Sequence, residues 1–167
     1  KTKFELIDAL PDDGIAFLNG DNEYILDQAK SYNNTVFYHG EKTGSGYYAK
    51  DITLSQMGTQ FTVVAPNGEE EQFQMRLVGG HNIVNVVGAI SVAHTLGISL
   101  KDLKVPVRRL EPVEHRMQIR HQGLATIIDD AYNSYPVGSK AAVETLAMFD
   151  GARILITPGM VELGISR

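Results

Sequence analysis

The sequence predicts an α/β protein in which parallel strands are followed by a small antiparallel hairpin sheet. Short apolar runs at residues 14–19 and 35–38 flank a segment, 24–31, that suits a helix. Strand, helix and strand at this spacing are typical of a parallel α/β unit. Farther along, alternating apolar and polar residues flank Asn67-Gly68, and this dipeptide is the strongest local signal for an antiparallel hairpin. The acidic run at 69–71 then forms the solvated start of the second hairpin strand.

Helical periodicity follows the hairpin. Apolar residues recur every three or four positions over 82–96 and Gly97 comes next, which predicts a helix that ends in a glycine cap. Ser99 and Asp102 have the spacing of a capping box for a further short helix. Pro106 should end or kink that helix within two turns, because proline lacks the N–H that the helix requires.

The last third of the chain repeats the strand and helix pattern. Alternation from Met117, a turn at Gln122-Gly123 and a return strand at 124–128 predict a second hairpin. Apolar residues spaced as on a helix follow at 142–149, and the run 153–157 predicts a buried terminal strand. Because the chain begins at Lys1 without methionine and stops soon after that strand, we expect it to be a piece of a larger protein.

Composition excludes several classes of function. Fifteen Lys and Arg face twenty Asp and Glu, a net charge of −5, which argues against general electrostatic binding to nucleic acid or to an anionic membrane. Cysteine is absent, which excludes disulfides and thiolate metal sites and permits a reducing cytoplasmic setting. Every apolar run is shorter than the roughly 18 residues that a membrane helix needs.

The first candidate site is Gly79-Gly80-His81-Asn82, with Asn85 one turn later, where an extended segment becomes a helix. Glycines permit close backbone approach, and the free amides of a helix start favour anions. Asparagine side chains both donate and accept, as recognition of a base edge requires. The alternative is that His81 or Asn82 merely caps the helix and Asn85 lies on its exposed face.

The second candidate is the polar turn that follows the strand at 124–128, with Asp130, Tyr132 and Asn133. Ligands of open α/β sheets bind outside the carboxyl ends of strands, where a carboxylate can accept hydrogen bonds from ribose and a tyrosine can face a base. The alternative is a surface turn whose side chains cap the next helix.

The third candidate is a basic stretch that includes Arg116. From Lys101 to His121 there are six Lys or Arg and three acids, and one arginine at a strand start can clamp a phosphate in bidentate fashion. The alternative is a solvated charged face.

Two common catalytic motifs are absent from the chain: it contains neither a Gly-x-x-x-x-Gly-Lys-Ser/Thr phosphate loop nor a Gly-x-Ser-x-Gly elbow. Three further histidines are interpreted as structural or surface residues, because they show no metal-ligand spacing: His39, His94 and His121.

Taken in order, these segments resemble the Mur ligase family, the ATP-dependent amide-forming enzymes of peptidoglycan precursor synthesis. The resemblance covers nearly the whole chain and depends on five motifs in family order: Leu10-Pro-x-x-Gly14-x-x-x-Leu18-Asn19-x-Asp21, Gly80-His81-Asn82-x-x-Asn85, His115-Arg116-Met117, Ile128-Asp129-Asp130-Ala131-Tyr132-Asn133-Ser134-Tyr135-Pro136 and Thr157-Pro-Gly-Met-Val-Glu-Leu-Gly164. The last two are most similar to the branch that adds D-alanyl-D-alanine to UDP-N-acetylmuramoyl-tripeptide.

The resemblance implies a three-domain ligase. Residues 1–111 would be the second half of its central ATP-binding domain, and 112–167 the start of a Rossmann-like C-terminal domain. Asn82 and Asn85 would contact adenine with His81 beside them, Arg116 would reach the phosphates as the catalytic residue, and Asp130 would hold the ribose. Tyr132 and Asn133 would flank the nucleotide.

The implied cofactors are ATP and Mg²⁺, and the implied partners are the nucleotide and a UDP-muramoyl-peptide substrate. The family's phosphate loop and Mg²⁺ ligands would precede Lys1, so we expect this stretch alone to be inactive. Two alternatives remain: another branch of the superfamily, such as a ligase that attaches amino acids to folate, and a non-catalytic nucleotide-fold subunit of an amidation complex.

Overall fold

The computed structural model describes residues 4–40, 46–133 and 135–159. The first part of the chain forms these elements: α1 (Glu5–Asp8), β1 (Ala16–Asn19), α2 (Glu23–Ala29), β2 (Thr35–His39), β3 (Tyr47–Ser55), β4 (Gly58–Val64), β5 (Glu70–Met75), α3 (His81–Thr95) and α4 (Leu100–Arg108). The second part forms β6 (Gln118–Gln122), β7 (Ala125–Asp129) and α5 (Pro136–Ala147). No helix in the described part of the chain has the length and apolar character needed to cross a membrane.

The main sheet has five strands in the order β1-β2-β3-β4-β5. β1, β2 and β3 run parallel, whereas β3-β4 and β4-β5 pair antiparallel. The predicted α/β class, with parallel strands leading into an antiparallel hairpin, is therefore confirmed. β6 and β7 form a separate two-stranded antiparallel sheet.

The β4–β5 hairpin turns at the predicted Asn67-Gly68. Gly68 has a φ of +84°, a conformation that glycine adopts without steric cost. Phe61 and Phe73 face each other across the two strands, with ring centroids 5.9 Å apart. Both rings are fully buried in the main core, which α3 and α4 cover from one side.

α3 ends as the sequence predicts. Gly97 has a φ of +95°, and the N–H of Ile98 donates to the Ala93 carbonyl while that of Gly97 donates to His94. These are the two bonds of a Schellman cap. The next helix, α4, begins at the predicted cap, because the Ser99 hydroxyl accepts the N–H of Asp102 at 3.2 Å and donates to the Asp102 carboxylate at 2.6 Å.

α4 contains Pro106 and ends two residues after it, at Arg108, within the two turns that the sequence predicts.

The terminal strand predicted at 153–157 is wrong. These residues form no strand, and Ile154, Leu155 and Ile156 are 77%, 62% and 91% exposed. A strand exists only where a neighbour satisfies its backbone groups, and β7 pairs with β6 alone in the described ranges. An apolar run indicates a preference for burial but does not supply the partner.

Candidate functional site

The start of α3 is shaped by a pair of glycines. Gly79 has a φ of +94°, and its carbonyl accepts the N–H of Asn82 at 3.2 Å. The turn therefore starts before the helix, and no side chain caps this N-terminus. Instead, the Asn82 amide donates to the Val78 carbonyl at 2.9 Å. The alternative that His81 or Asn82 serves as a helix cap is wrong.

The first turns of α3 lie at the carboxyl end of β2. Gly40 follows that strand directly, and a Cβ at Gly40 would approach the Val84 side chain to 2.9 Å. This close approach places the beginning of the helix at the edge of a parallel sheet where α/β proteins usually bind ligands.

A cleft of about 490 Å³ opens beside this helix start. Asn82 and Asn85 line it from α3, and Arg116 lines it from the segment before β6. Asn85 is exposed, and its amide lies 3.4 Å from the His81 carbonyl. The cleft also has an apolar lining from neighbouring elements: Leu77, Val78, Met117 and Ile119.

Asp130 fixes the backbone behind Arg116. Its Oδ1 accepts the N–H of Met117 at 3.0 Å. His115 and Met117 have φ of +60° and +49°, values that are uncommon for residues with a side chain. The N–H of Tyr132 also donates to the His115 carbonyl at 3.1 Å. Asp130 is not a helix cap, because no side chain caps the N-terminus of α5.

Arg116 stacks on Tyr132. The guanidinium carbon lies 4.1 Å from the ring centroid, within the range of a cation–π interaction. Tyr132 remains 64% exposed, so one edge of this pair is open to solvent. Asn133 is exposed next to it.

Asp129, next to Asp130, belongs to a small charge network. Its carboxylate lies 2.9 Å from His115 Nδ1 and 3.3 Å from the Arg120 guanidinium. The hydrogen bond from His115 lowers the pKa of Asp129, and the Arg120 charge acts in the same direction. The carboxylate is therefore ionised over the physiological pH range, and it connects β7 to Arg120 of β6 and to His115 before that strand.

His81 is the first residue of α3. Its Nδ1 is buried and has no hydrogen-bond partner in the described part of the protein. Burial lowers the pKa of His81 below its ordinary value of 6.5, and the negative charge of Asp130 partly opposes this change. The neutral imidazole is therefore the favoured form at this position.

We expect the His81 environment to make folding pH-dependent. A histidine whose pKa is lowered on folding destabilises the folded state when it must be protonated, so stability should fall as pH drops from about 7.5 to about 5.5. Thermal unfolding should show a smaller loss over this range in His81→Gln than in the wild type. The exposed His121→Gln is the control, and an unchanged pH dependence in His81→Gln would contradict the assignment.

The predicted site residues are not all equivalent in the structure. Asn82, Asn85 and Arg116 line the cleft directly. The other predicted residues do not line it. Asp130 and Tyr132 connect to its lining through Met117 and Arg116. His81 is the first residue of α3, and Asn133 is exposed next to Tyr132.

Sequence reasoning missed the Gln56-Met57 tip of the β3–β4 hairpin, which also lines the cleft. The Gln56 side chain donates to the Met148 carbonyl at the end of α5, a contact across 92 positions. No local pattern signals a contact of that range.

The ligands of the Mg²⁺ implied by the family resemblance are expected before Lys1, and the described residues offer no metal site of their own. No group of three or more His, Asp or Glu side chains converges as a metal site within residues 4–40, 46–133 and 135–159. No chemical step is therefore assigned to a metal ion on this part of the chain.

Comparison with known proteins relates the chain to one family. The model of the Mur ligase middle domain matches residues 1–93. UDP-N-acetylmuramoyl-tripeptide–D-alanyl-D-alanine ligase of Escherichia coli (strain K12) is 32% identical over 169 residues, which cover 98% of this chain and 37% of that protein. The ligase of the same name from Bacillus subtilis (strain 168) is 31% identical, with 98% and 35% covered. The chain thus spans little more than a third of the length of these curated relatives.

Solved structures share the fold. A crystal structure of MurF from Acinetobacter baumannii aligns with a TM-score of 0.81 at 22% identity, covering 90% of this chain and 33% of that one. MurF from Thermotoga maritima, solved in complex with ADP, aligns with a TM-score of 0.77 at 24% identity, covering 90% and 34%.

Proposed function

The chain belongs to the Mur ligase family, and from this premise we propose that it is part of a cytoplasmic, ATP-dependent ligase that joins D-alanyl-D-alanine to UDP-N-acetylmuramoyl-tripeptide. Residues 1–111 would then complete a central ATP-binding domain, and 112–167 would begin a C-terminal domain. The branch is proposed because the D-alanyl-D-alanine ligases of Escherichia coli and Bacillus subtilis align with 98% of the chain.

One observation carries the nucleotide assignment. Asn82 and Asn85 from α3 and Arg116 from the segment before β6 line a single cleft of about 490 Å³, a size within the range of small-molecule sites. Amides can pair with the edge of a base, apolar walls can cover its faces, and a guanidinium can neutralise phosphate. The cleft therefore offers the base and the phosphates of an adenine nucleotide chemically matching surfaces.

Behind the cleft, Asp130 has a carboxylate suited to ribose hydroxyls. Its bond to the Met117 N–H uses one oxygen, Oδ1, and a carboxylate has further acceptor sites. We infer that Asp130 both holds the Met117 turn and receives the ribose. Arg116, which stacks on Tyr132, would turn from the ring toward the phosphates or contact both at once.

The proposed reaction has two steps. A carboxylate oxygen of the muramoyl-tripeptide attacks the γ-phosphorus of ATP, and ADP leaves. The amine of D-alanyl-D-alanine then attacks the acyl carbon, loses a proton and displaces inorganic phosphate. In this scheme the residues of the cleft orient the nucleotide, and Arg116 stabilises charge on the transferring phosphoryl group.

The test is phosphate release by the full-length protein. We expect release to require ATP, the UDP-muramoyl-tripeptide and D-alanyl-D-alanine together. Replacing the last two by glutamate and a folate tests the other branch of the superfamily, and activity with that pair alone would contradict the proposal. A stable partner protein recovered with a full-length protein that binds ADP but releases no phosphate would favour the non-catalytic alternative.

A further inference from the structure

The tip of the β3–β4 hairpin, Gln56-Met57, lines one side of the cleft. Met57 lies at this tip, and its side chain is 87% exposed while it lines the same cleft as Asn82 and Asn85. Single exposed apolar residues are common on proteins and need no explanation by themselves. The position of Met57 is notable because the local structure fixes it there.

The backbone of the tip is held by its own side chains. The Ser55 hydroxyl accepts a hydrogen bond from the N–H of Met57 at 3.3 Å and donates one to the Gly58 carbonyl at 2.9 Å. Gly58 has a φ of +132°, and a Cβ there would collide with the Met75 carbonyl oxygen. The turn therefore packs closely against the end of β5, and this packing keeps Met57 beside the cleft.

A second anchor comes from the other part of the chain. The Gln56 side chain donates to the Met148 carbonyl at 2.9 Å, and Met148 caps the C-terminus of α5. Since the last carbonyls of a helix have no partner within it, this bond satisfies an otherwise open group. The hairpin tip is thus tied both to its own sheet and to α5.

The chemistry of the cleft defines what Met57 can contact. A purine needs hydrogen-bonding groups at its edge and apolar surface on its faces, and the amides of Asn82 and Asn85 provide only the first. Methionine is flexible and polarisable, and it makes favourable contacts with aromatic rings. Met57 has no polar atom that could bind ribose or phosphate.

We propose that Met57 forms an apolar wall against one face of the adenine ring, so that the β3–β4 hairpin tip is part of the nucleotide site. This inference rests on the proposed function and adds a binding residue to it. The hairpin tip would determine affinity for the base and have no effect on the phosphates.

The test compares ADP with inorganic pyrophosphate, which lacks the base, by calorimetry on the full-length protein. Met57→Ala should raise the Kd for ADP by about three- to tenfold, because apolar surface on the base is no longer covered. The Kd for pyrophosphate should not change. Met57→Leu keeps an apolar side chain of similar size and should bind ADP nearly as well as the wild type.

The matched control is Leu96→Ala, which truncates a 78% exposed apolar residue at the far end of α3. It should leave both Kd values unchanged. Wild-type affinity for ADP in Met57→Ala would overturn the inference while leaving the proposed function intact. An equal loss for ADP and pyrophosphate would also overturn it, and failure of the wild type to bind ADP would overturn both.

Discussion

Replacing Asp130 with alanine should weaken ADP binding to the full-length protein by about 1 to 3 kcal/mol, the usual result of removing a charged hydrogen-bond partner. Two losses combine in this variant. The ribose loses its proposed acceptor, and the N–H of Met117 loses the carboxylate oxygen 3.0 Å away. Calorimetric titration with ADP measures the combined effect.

Asp130→Asn separates the two contributions. Asparagine retains an oxygen for the Met117 N–H but lacks the negative charge, so this variant should keep the turn and lose only part of the affinity. Asp13→Ala removes an exposed acid near the amino end of β1 and serves as the control. Unchanged ADP affinity in Asp130→Ala would rule out the proposed role in ribose binding.

Phe61→Ala should lower the free energy of unfolding by about 3 to 5 kcal/mol, the range measured for large aromatic truncations in cores. The Phe61 side chain is fully buried, stacks on Phe73 and belongs to the main core cluster. Its loss leaves a cavity between the β4–β5 hairpin and the helices that cover it. Urea unfolding followed by circular dichroism measures the change.

Gln60→Ala is the neighbouring control, because Gln60 is exposed on the same strand. Its effect should stay within about 0.5 kcal/mol, as for most surface substitutions. A comparable loss of stability in both variants would mean that the strand, and not the buried ring, determines the result.

The parts of the fold that the sequence predicts well have short-range causes. Asn67-Gly68 specifies a hairpin within two residues, Ser99 and Asp102 specify a helix start within four, and Gly97 ends α3 through its own backbone conformation. The structure confirms all three. The family resemblance is confirmed as well, because ordered motifs carry information that no single segment holds.

The incorrect predictions have long-range or backbone causes. The run at 153–157 is apolar enough for a strand, but pairing depends on a neighbouring strand that composition does not reveal. The helix-cap interpretation of Asn82 fails because α3 already begins at His81 and the Asn82 side chain donates to the Val78 carbonyl, whereas a capping side chain accepts an N–H of the first turn. The Gln56-Met57 tip reaches the cleft only through folding, so its residues have no recognisable motif.

The left-handed backbone on both sides of Arg116 has an evolutionary consequence. With φ of +60° at His115 and +49° at Met117, both neighbours of Arg116 adopt a left-handed backbone. Asparagine and glycine tolerate this geometry, whereas β-branched residues do not. Substitutions at positions 115 and 117 should therefore be limited to residues that tolerate a left-handed backbone, even where the side chain has no other role.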